Sequence, residues 1–588
     1  MLIKVGRIIS IWKSKHIGDK NFLLILSVAV GITVGFAALL LKFSVSQVRR
    51  LVVFLVEKYS FNYFYIIFPA IGIFLTIIFV NYIIKKKLGH GIPMVLRSIS
   101  KNNGIIPFYN IFSRIIASSL TVGFGGSVGL EGPIVASGAA IGSNIGRFFH
   151  LSYRHIILLI GCASTAAVAA IFKAPITAVV FALEVIMLDL TTTSLLPLLL
   201  SSISAALVSF IFSGQNYIYY VEKLSPFEIK NVIFYILLGL LTGIFSVLFS
   251  KIYLKTNLIF EKVKSKWIKY FIGIIALGGI IFVFPSLYGE GYEGVNQAIQ
   301  GKFDFVFENT FYKNLYGLWF VIIVLISVLL FKIIAVCSTF VSGGVGGLFA
   351  PSLFSGAVSG LLFSLIFKQF GINLPVSNFV LAGMAGVMSG VMHAPLTAIF
   401  LIAEITGGYS LFVPLMIVSA ISFFTARIWM KNSIETLILA QNGELLTHNA
   451  DANMLAMLDI ESLIETNFLT IDYDAKLKDL ISIIVDSSRN IYVVIDKENN
   501  LKGIIWLENI KQVIFNPELY DNTLVKDLMY YPEPIIERNM NVTQVAKMFE
   551  ETSHYNIPVV NNEKYVGFIS RAKLFSQYRT LLKKFSDD

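Results

Sequence analysis

The chain has 588 residues, 56% of them hydrophobic and only 14% charged, with a mean hydropathy of +0.75. Soluble domains carry nearer a quarter charged residues, so most of this chain belongs in a bilayer, and its length calls for at least two domains. The formal net charge of +11 is dispersed rather than gathered into one basic patch, which argues against a nucleic-acid partner.

Residues 1–20 hold Lys4, Arg7, Lys13, Lys15 and Lys20 and read as a cytoplasmic segment without a cleavable leader. Long apolar runs then recur through residues 21–442, including Phe22–Phe43, Tyr63–Ile84, Val232–Ile252 and Leu318–Val336. Each is near the ~20 residues that a helix needs to cross a bilayer. Lys85, Lys86 and Lys87 follow the second run, so two spans return the chain to its starting side and both basic clusters obey the positive-inside rule. Gly123–Phe149, His155–Ile186 and Gly346–Phe367 are interrupted by Gly and Pro, which predicts helices that start or stop inside the bilayer. Irregular backbone at that depth is tolerated only where protein or a water-filled cavity covers it, as along a transport path. Cys162 and Cys337 have neither metal-ligand nor disulfide spacing and read as small packed hydrophobes. Beyond residue 443 the composition turns polar, and short strands such as Ile491–Ile495 and Leu501–Trp506 alternate with helical stretches. Residues 443–588 therefore read as a soluble α/β domain.

The membrane part repeats itself, with halves of about 21–225 and 226–442. Gly125–Gly142 (GGSVGLEGPIVASGAAIG) resembles Gly343–Gly360 (GGVGGLFAPSLFSGAVSG), and Pro351 follows Pro133 by 351 − 133 = 218 residues. KAPITAVVFALEV (Lys173–Val185) matches HAPLTAIFLIAEI (His393–Ile405) at an offset of 220. Ordered blocks at nearly one offset are a transporter signature. Each first block places glycines and then a proline at a helix start, where Pro is tolerated. The free N–H groups and the aligned dipoles at such a terminus attract an anion. Two half-helices can thus hold an anion near the midplane without a full basic charge, and the ion can still leave. The soluble tail repeats too: Asn490–Trp506 parallels Asn556–Ser570, with Gly503 or Gly567 in the second strand. One such unit buries little core, so the two are expected to pack together.

Three motifs in order make the chain resemble the CLC chloride channels and transporters over nearly its whole length. Gly89-His90-Gly91-Ile92-Pro93 resembles the first anion-binding motif, GSGIP; Gly129-Leu130-Glu131-Gly132-Pro133 the second, G(K/R)EGP; and Gly347-Leu348-Phe349-Ala350-Pro351 the third, GxFxP. The resemblance implies a multi-pass α-helical fold with an inverted repeat and broken helices, and a homodimer with one ion path per subunit. It implies a place in the voltage-gated class and an anion bound by the N–H groups of Leu348 and Phe349, among His90, Gly91, Ile92, Gly129, Leu130 and Gly132. Glu131 would be the gate, its carboxylate filling an anion site until protonated or displaced. An ionisable residue in a Gly-rich membrane segment is a functional candidate on physical grounds as well; the plainer reading is a carboxylate capping its own helix.

Four positions depart from the family pattern. His90 replaces a serine that donates to the central anion, and Glu435, in Ser433-Ile434-Glu435-Thr436, replaces a tyrosine that does the same. Leu130 replaces the cation beside the gate. Val185 stands where coupled exchangers often carry a second glutamate, while Glu184 fits the preceding, structural position. A bare carboxylate ~4 Å from chloride costs on the order of 4 kcal/mol at an effective dielectric of 20. The expectation is therefore that His90 and Glu435 pair, the alternative being that Glu435 faces cytoplasmic water.

The tail resembles tandem CBS domains, which implies a candidate adenine-nucleotide site. Ser570 keeps the hydroxyl of that site, but Lys573 replaces its aspartate and the first unit lacks the hydroxyl, so no cofactor is expected. The leading functional reading is gated passive chloride conduction, with proton-coupled exchange close behind. Fluoride or other-anion transport and a non-conducting sensor are further alternatives. No nucleophile–base set, phosphate loop or metal cluster suggests an enzyme. The expected partners are chloride, lipid and a second copy. The Lys-, Ile- and Asn-rich usage points to a bacterial inner membrane, with both termini cytoplasmic.

Overall fold

The computed structural model describes residues 18–59, 64–86, 88–89, 91–186, 192–214, 219, 221, 224–312, 317–441, 455, 458–552 and 554–586. The chain divides into two compact units, Met1–Gln441 and Asn442–Asp588.

The first unit is helical throughout. Its first half runs α1 (Asp19–Tyr59), α2 (Phe64–Ile78), α3 (Gly91–Ser100), α4 (Asn110–Gly123), α5 (Glu131–Phe148), α6 (Tyr153–Phe172), α7 (Pro175–Glu184) and α8 (Thr192–Ser213). Its second half runs α9 (Val232–Glu261), α10 (Lys266–Val283), α11 (Tyr292–Ile299), α12 (Leu318–Val341), α13 (Phe349–Gln369), α14 (Val376–Met392), α15 (Pro395–Ile405) and α16 (Phe412–Trp429), and α17 (Ile434–Gln441) closes the unit. Among the described residues, nine helical segments are long and apolar enough to cross a membrane. The first of them is longer than its apolar run, because Val52 and Val56 pack on Phe68 and Phe124 and prolong the buried stripe. The run at 155–186 is two helices: Lys173 turns into the left-handed region at φ 56°, and Pro175 starts the next helix.

Small residues let the central helices close on one another, as they do where lipid supplies no hydrophobic drive. A Cβ at Gly142 of α5 would stand 2.4 Å from the Leu159 carbonyl oxygen of α6. A Cβ at Gly360 of α13 would stand 2.2 Å from that of Phe379 on α14. These two glycines share the 218 offset, so each half closes a helix pair at the same place.

The second unit holds two sheets, one of β2 (Thr470–Asp472), β3 (Ile491–Ile495) and β4 (Leu501–Trp506), the other of β1 (Ile464–Glu465), β7 (Lys564–Ser570), β6 (Asn556–Asn561) and β5 (Ile536–Glu537). In each sheet one strand pair is parallel and a hairpin follows, with Val494 facing Gly503 and Val559 facing Gly567. Glycine is required there: a Cβ at Gly503 would stand 3.0 Å from the Tyr530 carbonyl oxygen, and one at Gly567 2.6 Å from that of Glu465. The two repeats share a core in which Ile491, Val493 and Leu501 meet Val560 and Phe568, as expected of units too small to stand alone.

Candidate functional site

The two Gly-rich turns meet about a local two-fold relation. Gly129 N–H donates to the Gly347 carbonyl at 2.9 Å, and Gly347 N–H donates back to Gly129 at 2.8 Å. The Ser127 N–H donates to Thr339 Oγ1 at 3.2 Å, and its counterpart, the Val345 N–H, donates to Thr121 Oγ1 at 3.0 Å. Leu130 and Leu348 cap α5 and α13 with almost the same backbone angles, so both helices begin at this bridge. Helix α3 joins them. A Cβ at Gly91 would stand 2.3 Å from the Gly132 carbonyl oxygen, and one at Gly132 would stand 3.2 Å from the Gly347 Cα. Gly91, Ile92, Gly129, Leu130, Glu131, Gly132, Leu348 and Phe349 thus gather at three helix starts, whose first N–H groups have no partner within their helices. The Phe349 ring turns away and packs on Phe172 and Phe181, at centroid distances of 6.2 and 5.7 Å.

The Glu131 side chain folds back over this junction and is 1% exposed. Oε1 accepts a hydrogen bond from the Tyr292 hydroxyl at 2.8 Å. Oε2 is buried without a hydrogen-bond partner among the described residues. It lies in the notch of the bridge, 2.1 Å from where a Gly129 Cβ would be and 3.6 Å from a Gly347 Cβ. Two fully buried cations stand behind the turns, again 218 residues apart. Arg114 on α4 donates to the Gly89 carbonyl at 2.8 Å, and Lys332 on α12 donates to Ser127 Oγ at 2.8 Å. Neither is within ion-pair distance of an acid among the described residues, and each instead holds an oxygen of a turn.

Glu435 sits in the first turn of α17, which packs against α3 and α14. It is 8% exposed, and no basic side chain stands within ion-pair distance of it among the described residues. His90 lies outside the described residues, so the expected His90–Glu435 pair does too. In the other unit the Ser570 hydroxyl donates to Glu465, which also pairs with Arg489 at 2.7 Å, and accepts from the Lys573 N–H at 3.1 Å.

Further along, each half clasps the other with one carboxylate. Glu184 accepts from the N–H groups of Leu396 and Thr397 at 3.0 and 2.7 Å and from Thr397 Oγ1 at 2.7 Å. Glu404 accepts from those of Ile176 and Thr177 at 3.0 and 2.7 Å and from Thr177 Oγ1 at 2.6 Å. Each acid caps the opposite short helix, which is favourable at a positive helix end. Val185 beside it is buried.

Two cavities flank the junction. One of about 650 Å³ is bordered by Val122, Gly123, Glu290 and Tyr292. The other, of about 300 Å³, is bordered by Arg114, Lys266, Phe340 and Val341. Val122 and Phe340, like Gly123 and Val341, share the 218 offset, so the cavities occupy related places in the two halves. Sequence reasoning passed over Arg114, Lys332, Glu290 and Tyr292. The repeat offset could have found the first two. No sequence signal marks the others.

The sequence profile described as voltage gated chloride channel matches residues 71–427, and that of the CBS domain matches 460–514 and 525–579. An H+/Cl− exchange transporter of Klebsiella pneumoniae is 26% identical over 417 residues, covering 67% of this chain and 83% of that protein. A slow cyanobacterial Cl−/H+ antiporter of known structure is similar with a TM-score of 0.61 at 21% identity, covering 71% of this chain and 97% of that one. A eukaryotic CLC transporter gives a TM-score of 0.61 at 17% identity, covering 94% and 97%. At these identities the structural likeness speaks to the fold.

Proposed function

Because the chain belongs to the voltage-gated chloride channel (CLC) family, we propose that it carries chloride across a membrane through one path in each subunit of a homodimer, with Glu131 as the gate. One observation carries this reading: a buried carboxylate rests in the notch where two glycine-rich helix starts meet. A carboxylate seated among helix N-termini occupies a place suited to an anion. It yields when protonated, or when chloride displaces it. Lys42, within electrostatic reach of Glu131, favours an anion there, although Leu130 brings no charge.

Two modes share this gate. Val185, apolar where coupled exchangers carry an inner acid, favours passive conduction. Glu435, buried near α3, offers a different inner acid, and the relative named as an exchanger favours proton-coupled exchange at least as well. The basic clusters and residue usage support an inner bacterial membrane with cytoplasmic termini. No cofactor is proposed, since the Ser570 hydroxyl is engaged by Glu465 rather than left for a ribose.

Purified protein in liposomes tests the reading. Chloride efflux rises as pH falls through the carboxylate range in the wild type, and Glu131→Gln removes that dependence. Absence of any anion flux overturns the proposal. Uphill proton movement driven by a chloride gradient assigns exchange, and its absence assigns conduction.

A further inference from the structure

Glu131 takes its one side-chain hydrogen bond among the described residues from the opposite half of the molecule. Tyr292 opens α11 directly after Gly291, whose φ of 84° is a left-handed conformation that glycine adopts without strain. A Cβ at Gly291 would stand 2.6 Å from the Phe354 ring of α13, which fixes where this helix can start. The Tyr292 ring lies against that of Tyr219, with centroids 6.0 Å apart, and Tyr219 is itself 1% exposed. Tyr292 also borders the 650 Å³ cavity. One side of the phenol therefore faces a cavity while its hydroxyl ends on the gate at 2.8 Å.

We infer that Tyr292 latches the gate: its hydroxyl holds the Glu131 carboxylate in the notch between Gly129 and Gly347, and this bond must break before the carboxylate can leave. The inference rests on Glu131 being the gate. A phenol suits the task because it donates to the carboxylate without adding charge, and it grips the ionised acid more strongly than the neutral one. The other oxygen lies beside Gly129 and Gly347 and has no hydrogen-bond partner among the described residues, so no second side chain holds it there. The titratable groups within electrostatic reach of Glu131 are Lys42 from α1, whose ammonium donates to the Ile171 carbonyl at 2.6 Å, Tyr219 from the segment before α9, and Glu290 and Tyr292 from the stretch that opens α11. Tyr219 Oη and Glu290 Oε1 have no hydrogen-bond partner among the described residues. The latch is thus the side-chain hydrogen bond that reaches the gate in this cluster among the described residues.

Tyr292→Phe tests this while keeping the ring packing on Tyr219. Chloride efflux from liposomes is measured against chloride concentration and pH, in the wild type, Tyr292→Phe, Glu131→Ala and the double variant. The expected result is that Tyr292→Phe lowers the chloride needed for half-maximal flux by about tenfold, as loss of a charge-assisted hydrogen bond predicts, and moves the pH profile. In the Glu131→Ala background the same substitution changes neither. An unchanged chloride dependence and pH profile in Tyr292→Phe overturns the latch, as does an equal effect with Glu131 absent. If Glu131→Ala itself leaves flux and its pH dependence untouched, the gate reading fails instead.

Discussion

The two halves of the membrane unit keep the same bonds and differ in their chemistry. Thr121 and Thr339 receive matching N–H groups, Gly129 and Gly347 exchange a pair of hydrogen bonds, and Glu184 and Glu404 clasp opposite helices with three donors each. At the junction the match ends. The first half puts Glu131 where the second puts Phe349, and the second half supplies Tyr292, to which Glu131 is bonded. Symmetry builds the seat, and its breach furnishes the acid that sits there.

Substitution of the bridge glycines gives the largest effects and should differ between halves. A methyl at Gly347 would stand 2.7 Å from the Gly132 backbone nitrogen, which cannot step aside. Gly347→Ala is expected to cost about 1–3 kcal/mol through overpacking, read as a lower melting temperature in detergent. A methyl at Gly129 meets the Glu131 carboxylate at 2.1 Å, and a side chain can move. Gly129→Ala is expected to fold and to show raised flux with a weakened pH dependence. Equal destabilisation by both would mean that the carboxylate is as fixed as the backbone.

The clasps predict the opposite outcome, equality. Glu184→Gln and Glu404→Gln each keep one acceptor oxygen and lose the other, at about 1–2 kcal/mol for the lost charge-assisted bonds. Matching drops in melting temperature support a shared scaffold role. A large loss of flux from Glu184→Gln alone, without a change in stability, would give that residue a transport role instead.

The smallest effect lies in the second unit. Hydrogen bonds from Arg538 hold the exposed Glu461 carboxyl below the usual carboxylate range. Such a group stabilises above its unfolded value, and the contribution is lost as pH falls through its depressed one. Arg538→Ala should therefore raise hydrogen exchange around residues 458–470 slightly at neutral pH and not in acid, with no change in chloride flux. Exposed pairs contribute little in general.

Much of this was legible in the sequence because it depends on residues near one another along the chain. Glycines before a proline mark a broken helix, and a fixed offset marks the repeat, so the helix starts at Glu131 and Phe349 follow from local pattern. The offset also held more than the motifs did: Arg114 and Lys332 obey it, yet each reads alone as one basic residue in an apolar run. Tyr292 and Glu290 have no such mate. Their meeting with Glu131 spans some 160 positions and depends on the turn at Gly291, whose position is set by the Phe354 ring. Glu184 was readable as structural, but the identity of the helix it caps was not, since that contact needs both halves assembled. Phe349 shows the same limit: the motif places its N–H at the junction, while the ring's contacts with Phe172 and Phe181 come only from tertiary packing.

The clasps also constrain how an ion gets through. The bonds between Gly129 and Gly347, and those on Glu184 and Glu404, would all have to be cut for one half to rock against the other. That makes whole-body tilting of the halves a costly route. On the reading that Glu131 is the gate, passage falls to the swing of that side chain within a frame riveted at its centre, and turnover is expected to respond to its neighbours far more than to the thickness or fluidity of the surrounding lipid.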